Sequence, residues 1–323
     1  MNTAAKLGTY ALGLAVVFGG ALGLGNAVGS DAPAPAAATP GHDSHAEPAT
    51  APAGAAIDTP GGLQVSDNGH TLTPLTGAIK PGEPTDFRFA VTGPDGRPVT
   101  DYQIAHDKKL HLILVPRDLG DFQHLHPELG ADGVWSVKLT LPDAGAYRMF
   151  ADFEPTGGEA LTLGADVLVA GDYAPEALPA VSRTASVDGY TVELEGELVP
   201  GRSSRLALTV SKDGKPVTDL QPYLGAYGHL VALRGGDLAY LHVHPDGEPG
   251  DGRTSPGPEI VFHAEAPSAG SYRLFLDFQH EGEVRTAAFT VHAGQAPAPA
   301  AQTATRAPKP TPTKSDAHGD HGH

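Results

Sequence analysis

The stretch KLHLILVPRDLGDFQHLHP (109–127) recurs without a gap as YGHLVALRGGDLAYLHVHP (227–245), and this internal repeat decides the fold. Two more pairs frame it: KPGEPTDFRFAVTGPDGRPVTD (80–101) with VPGRSSRLALTVSKDGKPVTD (199–219), and PDAGAYRMFADF (142–153) with PSAGSYRLFLDF (267–278). Each copy extends over about 100 residues, the size of one immunoglobulin-like sandwich. The sequence therefore predicts an all-β fold of two tandem immunoglobulin-like, Greek-key β-sandwich domains, repeat 1 over 63–172 and repeat 2 over 182–293.

The local pattern in both repeats favours short strands. Apolar and polar residues alternate between breaks at Gly, Pro and Asp, and the chain contains 41 glycines and 30 prolines. No stretch of the two repeats has a helical period. The AGxY motif places Tyr147 and Tyr272 where a tyrosine corner opens the strand after a Greek-key crossover.

The N-terminal 30 residues predict a signal anchor or a signal peptide. An uncharged run extends from Leu7 to Gly29, long enough to cross a hydrocarbon core of ~30 Å. Small residues at 27–29 offer a cleavage site as the alternative. Lys6 lies on the N-terminal side of the run, which predicts that the rest of the chain is outside the cytoplasm, anchored by one helix or secreted.

The composition of segments 31–62 and 294–323 predicts that both are disordered. The first is rich in Ala and Pro and the second ends in a His-containing tip, and neither has the large apolar residues that a core requires.

Composition excludes several classes of partner and site. The net charge of −17 without a basic stripe argues against nucleic acid. The absence of cysteine excludes disulfides, thiolate ligands and blue-copper sites of the His₂Cys type. The partners that the sequence does predict are a transition-metal ion and, through the N-terminal helix, a membrane; it identifies no metal-transport partner.

Histidines occupy equivalent positions in the two repeats. They are His111, His124 and His126 in repeat 1 and His229, His242 and His244 in repeat 2. A two-residue turn at Gly235-Gly236 predicts a hairpin in which His229 faces His242, with His244 on the same face. The sequence therefore predicts one metal site on one hairpin of each repeat.

An aspartate in the tyrosine-corner strand is predicted as the fourth partner of each site. Asp152 and Asp277 lie in apolar, aromatic strands, where a carboxylate requires compensation. A metal ion held by neutral imidazoles supplies it, with the aspartate as a ligand or as the acceptor of a ring N–H. The remaining histidines of the repeats have no counterpart and are interpreted as ordinary: His70, His106, His263, His280 and His292.

Imidazole and carboxylate ligands point to copper or zinc, and the affinity order favours copper. Two methionines, Met1 and Met149, are too few for a Met-rich copper site. The tracts GHDSH (41–45) and HGDHGH (318–323) predict weaker metal binding in the flanks.

The run YLGAYGHLVALRGGDLAYLHVHP (223–245) resembles secreted or anchored bacterial immunoglobulin-like proteins associated with heavy metals. The resemblance implies metal handling rather than a reaction, with His229, His242 and His244 at the matching positions. Repeat 1 departs from it with IAHDKK (104–109), which implies an altered site there.

Two other classes stay open. LHVHPDGEPGDG (241–252) is similar to the HVH stretch of copper-zinc superoxide dismutase, but the zinc-loop pattern and the cysteine pair are missing. No Ser-His-Asp set or phosphate loop can be assigned, so we expect a binding protein rather than an enzyme. The third class is a structural or adhesion module whose histidines only form hydrogen bonds.

Overall fold

The computed structural model describes residues 59–294, and every helix or strand in that range is a β-strand. This confirms the predicted all-β class. Within the range there is no helix with the length and hydrophobicity that a bilayer crossing requires. The predicted anchor, and most of the predicted linker and tail, lie outside the described residues.

Repeat 1 contains two antiparallel sheets. Its strands are β1 (Ser66–Asp67), β2 (His70–Pro74), β3 (Thr85–Thr92), β4 (Leu110–Pro116), β5 (Gln123–Leu125), β6 (Glu128–Leu129), β7 (Val134–Leu139), β8 (Gly145–Phe153) and β9 (Leu161–Val169). One sheet has the order β1-β2-β3-β7-β6 and the other β5-β4-β8-β9.

Repeat 2 has the same plan. Its strands are β10 (Thr184–Val187), β11 (Tyr190–Glu195), β12 (Ser203–Lys212), β13 (Lys215–Pro216), β14 (His229–Arg234), β15 (His242–Pro245), β16 (Glu259–Glu265), β17 (Gly270–His280) and β18 (Glu283–Ala293). One sheet has the order β10-β11-β12-β16-β15, with β13 beside β12, and the other β14-β17-β18.

The strand order is that of an immunoglobulin-like sandwich. The main strands in chain order are β2, β3, β4, β6, β7, β8 and β9 in repeat 1, and β11, β12, β14, β15, β16, β17 and β18 in repeat 2. In each, the first, second, fifth and fourth strands form one sheet, and the third, sixth and seventh form the other.

Each sandwich encloses its own core. In repeat 1, Phe89 and Trp135 from one sheet and Met149 from the other belong to one buried cluster. In repeat 2, Phe262 and Phe289 join opposite sheets in the same way. The strand β11 alternates buried and more exposed residues because one face meets this core and the other meets solvent.

Both predicted tyrosine corners are present. The Tyr147 hydroxyl donates to the carbonyl oxygen of Asp143 at 3.1 Å, and the Tyr272 hydroxyl donates to that of Ser268 at 2.8 Å. The two rings are 2% and 0% exposed, so each tyrosine fixes the entry to its strand from inside the core.

The two repeats share a third buried cluster. It contains Ile113, Val115, Leu119 and Phe150 of repeat 1 and Val231, Leu233, Leu238 and Phe275 of repeat 2. This contact explains why β4 is buried at nearly every position, since one face of the strand packs on its own core and the other on the second repeat.

The predicted two-residue turn at Gly235-Gly236 is wrong. The Arg234 N–H donates to the Ala239 carbonyl at 2.9 Å, so the loop is two residues longer than predicted. Leu238 in this loop has a left-handed backbone (φ 64) and is 0% exposed in the cluster between the repeats. Burial of a leucine side chain, at about 1.5–3 kcal/mol, offsets that backbone strain and favours the longer loop.

The predicted register between β4 and β5 of repeat 1 is also wrong, by two residues. Ile113, not His111, pairs with His124 between β4 and β5. In repeat 2 the second strand also leaves the hairpin, because β15 pairs with β16 of the other sheet, and His229 does not face His242.

Candidate metal centre

The two sheets that face each other carry equivalent polar rows. In each sheet a histidine, an aspartate and a threonine lie opposite one another on three neighbouring strands. The row is His111, Asp152 and Thr162 in repeat 1, and His229, Asp277 and Thr286 in repeat 2. Each threonine donates a hydrogen bond to its aspartate, at 3.0 Å in repeat 1 and 2.6 Å in repeat 2. The structure therefore places each predicted aspartate next to a histidine of its own repeat.

Three histidines meet where these rows face each other. His111 and His124 from repeat 1 and His229 from repeat 2 each present one ring nitrogen, and the three atoms lie within 4.8 Å of one another. We call these three histidines, with Asp277, the closed site. His111 is 3% exposed and the His124 and Asp277 side chains are each 3% exposed, whereas His229 is half-buried.

Hydrogen bonds on the outer side of the rings assign the tautomers of two of these histidines. His111 Nε2 lies 3.1 Å from the Ala105 carbonyl oxygen, which can only accept, so Nε2 carries the proton. His124 Nδ1 lies 2.8 Å from Oδ2 of Asp277 and donates to it. In the neutral rings, His111 Nδ1 and His124 Nε2 therefore both carry lone pairs.

These two lone-pair nitrogens face each other at 3.1 Å. Two neutral acceptors repel at that distance unless a cation lies between them. Imidazole nitrogens at about 2.0–2.1 Å from one ion are separated by about 2.9 Å in a square arrangement and about 3.3–3.4 Å in a tetrahedral one. The observed separation lies between these values, so the His111 and His124 nitrogens have the spacing of two ligands of one Cu(II) or Zn(II) ion.

His126 adds a fourth imidazole beside the closed site. Its ring centroid is 4.8 Å from that of His124 and 5.2 Å from that of His111. Its Nε2 is buried and has no hydrogen-bond partner among residues 59–294. An orphaned buried nitrogen is costly, and a bound ion would satisfy it.

The environment keeps three of these imidazoles neutral. Burial, assisted by His124, lowers the pKa of His111 to about 3. Burial, again assisted by His124, lowers the pKa of His126 to about 4 and holds that of His229 well below its ordinary value. At pH 7 they are therefore in the form that binds metal ions.

His242 and His244 do not join His229 in the closed site. Both are exposed on β15, with their Nε2 atoms 2.5 Å apart. Across β16 they pair with Glu265 and His263. The structure thus combines His229 with the repeat 1 histidines rather than with those of its own repeat, and one predicted site per hairpin is replaced by a site between the repeats.

A cavity of about 270 Å³ opens beside the closed site. Asp152, His229, His242 and His244 line it, and so does His106, which the sequence interpretation set aside as ordinary. The His106 ring centroid is 5.6 Å from that of His229 and 5.9 Å from that of His111. The comparison of the two repeats did not identify His106, because repeat 2 has Leu224 at the equivalent position.

The charged neighbours of the site have separate roles. Burial raises the pKa of Asp152, whereas the nearby Thr162 hydroxyl and histidines act in the opposite direction. Arg148, four residues away, does not compensate Asp152, because it donates to Asp166 at 3.0 Å and to the Gly62 carbonyl at 2.6 Å. The remaining histidine close to Asp277 in sequence, His280, is hydrogen-bonded to Tyr190 and Asp219.

Two segments of the chain, 64–171 and 185–295, match the model of the family described as "Domain of unknown function (DUF8832)". Together they cover more than half of the sequence, one match for each repeat. No curated protein matches the chain.

Several solved structures align with the chain at low similarity. The Escherichia coli adhesin FdeC is 16% identical over 71% of this chain and 65% of its own, with a TM-score of 0.23. A Salmonella alpha-2-macroglobulin mutant is 15% identical over 72% of this chain and 15% of its own, with a TM-score of 0.25. The bacterial integrin-binding protein invasin is 14% identical over 70% and 39%, with a TM-score of 0.21. The chain thus spans less than two thirds of the length of each of these proteins.

Proposed function

The chain belongs to the DUF8832 family, and we propose that it is an extracytoplasmic protein of metal homeostasis that binds a copper or zinc ion between its two repeats. The ligands are His111, His124 and His229, with Asp277 as the acceptor that orients His124. The uncharged N-terminal run supports the location outside the cytoplasm.

One observation carries the proposal: two imidazole lone pairs, on His111 and His124, face each other at 3.1 Å. A metal ion removes the repulsion and uses the hydrogen bonds to the Ala105 carbonyl and Asp277 as supports that fix the ring orientations. The third nitrogen, on His229, comes from the other repeat, so the ion also joins the two repeats.

A proton on His124 would also remove the repulsion. The ring would then donate from Nδ1 to Asp277 and from Nε2 to His111, and the histidines would serve only to hold the repeats together. That arrangement corresponds to the structural or adhesion module that the sequence left open. Adhesins are among the similar structures, although their TM-scores of 0.20–0.23 give the module no independent support.

Titration calorimetry with Cu(II) and Zn(II) at pH 7.5 distinguishes the two functions. The protein is the full chain with the flanking histidines replaced by Asn: His42, His45, His318, His321 and His323. We expect tight binding that H124A weakens at least 100-fold, because it removes one ligand and one of the two hydrogen bonds to Asp277. H292Q, at a strand position that lines neither the closed site nor the cavity, is the matched control and should bind like the parent. Equal binding by H124A, H292Q and the parent would support the structural module instead.

A further inference from the structure

The two repeats are related by an approximate twofold axis through their interface. Phe122 of repeat 1 stacks on Phe275 of repeat 2 at 4.2 Å between ring centroids. The equivalent pair in the other direction, Tyr240 on Phe150, has a separation of 5.5 Å. His111 and His229 are also equivalent, and they stack on each other at 5.4 Å with an interplanar angle of 16°, so they lie next to the axis.

The approximate twofold axis relates the residues of the closed site to a second, equivalent group of residues beside it. The equivalent of the His124–Asp277 contact is His242 with Asp152. That contact is not made, because β15 has joined β16 and places His242 beside Glu265. Among residues 59–294, Asp152 therefore has the Thr162 hydroxyl as its hydrogen-bond partner, whereas Asp277 has both a threonine and a histidine.

The side chains that would complete the second position line the cavity and face solvent. His242 and His244 are exposed, and their rings are neighbours on β15. His106 reaches the same cavity from the loop before β4. Of the closed-site histidines, His111 and His229 also line this cavity, whereas the His124 side chain is 3% exposed and lies outside the lining.

His106 is a cavity-lining residue at which the two repeats differ. His106 and its equivalent Leu224 both have a left-handed backbone, with φ of 48 and 55. Leu224 is 5% exposed and can only pack. The imidazole of His106, in place of the isobutyl group of Leu224, adds a nitrogen donor to the open, solvent-facing end of the cavity, where His242 and His244 also lie.

We infer a second cation site at this open end, which receives a divalent transition-metal ion before the closed site does. The ligands of this open site are His106, His242, His244 and Asp152, whose side chains line one cavity and would turn toward the ion when it binds. His229 lines the same cavity and also belongs to the closed site, so an ion can exchange ligands from one site to the other without release to solvent. The inference rests on the proposed function, because the closed site is where the ion arrives.

The stoichiometry and the rate of loading test the open site. The protein is the full chain with the five flanking histidines replaced, and the probe is Cu(II). We expect two ions per chain in calorimetry. H242A/H244A should bind one ion with unchanged affinity at the closed site, and stopped-flow absorbance should show that site filling at least tenfold more slowly. H106L introduces the residue found at the equivalent position, Leu224. It should weaken binding at the open site several-fold and leave binding at the closed site unchanged.

The outcomes separate the two proposals. Two ions in H242A/H244A, one ion in the parent, or equal filling rates in the two proteins would each overturn the open site. H111A/H124A should lose the tight ion and keep the weak one. If H111A/H124A still binds both ions as the parent does, the proposal that His111 and His124 bind the tight ion is wrong. In that case the loss of one ion in H242A/H244A would still identify the open site. Circular dichroism of each variant checks that the β-sandwiches are retained.

Discussion

His124 Nδ1 and Asp277 Oδ2 lie 2.8 Å apart although the two residues are 153 positions apart in the chain and belong to different repeats. Both side chains are 3% exposed, so this hydrogen bond is made in the interior of the interface. The packing of the repeats and the geometry of the closed site therefore depend on each other, and the predictions below use that dependence.

Thr286 orients Asp277, which in turn orients His124. T286V removes the 2.6 Å hydrogen bond to Asp277 with little change in volume, and loss of such an outer partner costs about 10–100-fold in metal affinity. We expect a loss in this range at the closed site, measured by competition with a chromophoric chelator. T162V is the matched control, since Thr162 contacts Asp152 instead. Equal losses in the two variants would contradict the asymmetry of the closed site.

The metal-free protein should lose stability between pH 7 and pH 5. The pKa of His111 is lowered to about 3 and that of His126 to about 4, whereas in the unfolded chain they are ~6.5. The unfolded chain therefore binds more protons in this window, and the free energy of unfolding decreases as the pH falls, by up to about 1.4 kcal/mol per pH unit for each histidine. The raised pKa of Asp152 contributes with the opposite sign.

Urea unfolding at pH 7, 6 and 5 in the presence of a chelator measures this slope. H111A/H126A should flatten it, because two of the neutral histidines are gone. A slope that is the same in the variant and the parent would show that the histidines already exchange protons freely in the folded state.

Phe275 connects packing to metal binding. It is 1% exposed and stacks on Phe122 at 4.2 Å, and Phe→Ala changes in such positions cost about 3–5 kcal/mol. F275A should lower the melting temperature and also reduce the extra stabilisation that Cu(II) gives, because Phe122 is two residues from His124 on the same chain segment. Thermal melts with metal and with chelator measure both effects. A full metal-induced shift in F275A would mean that the site forms independently of this stacking.

The tyrosine corners should affect stability alone. Y147F and Y272F each remove a hydroxyl that donates to a carbonyl, at 3.1 Å and 2.8 Å, and the expected loss is about 0.5–1.5 kcal/mol for each. Chemical denaturation measures the loss, and calorimetry should give the parent stoichiometry of metal binding. A change in stoichiometry would show that the corners control the interface as well as their own sandwich.

The fold was predictable because its signals are local. Alternation of apolar residues predicts strands, the AGxY motifs predict both tyrosine corners, and the gapless repeat predicts two equivalent sandwiches, all of which the structure contains. The hairpin register was not predictable from Gly235-Gly236, because the turn is decided by Leu238, whose side chain is buried against the other repeat. The spacing of the turn glycines does not report a contact with the other repeat.

The candidate site was predictable in its residue types but not in its grouping. His111, His124 and Asp277 were all identified from the sequence, but each histidine set was assigned to its own repeat. Period-two alternation gives the face of a strand on which a side chain lies, and it does not say what that face packs against. One signal was available: β4 and β14 read as continuous apolar runs, which indicates burial on both faces and hence a partner outside the sandwich.

The approximate twofold axis has a consequence for how such a chain can diversify. If a single sandwich packed against an identical copy through the same sheet face, the two would form an isologous homodimer. Every substitution on one subunit would then be duplicated on the other. Fusion of two copies in one chain keeps them together at a high effective concentration and removes that constraint. An identical pair would have the same residue at both positions, whereas the fused pair has His106 in one repeat and Leu224 in the other, so the linkage permits the two repeats to differ at the face they share.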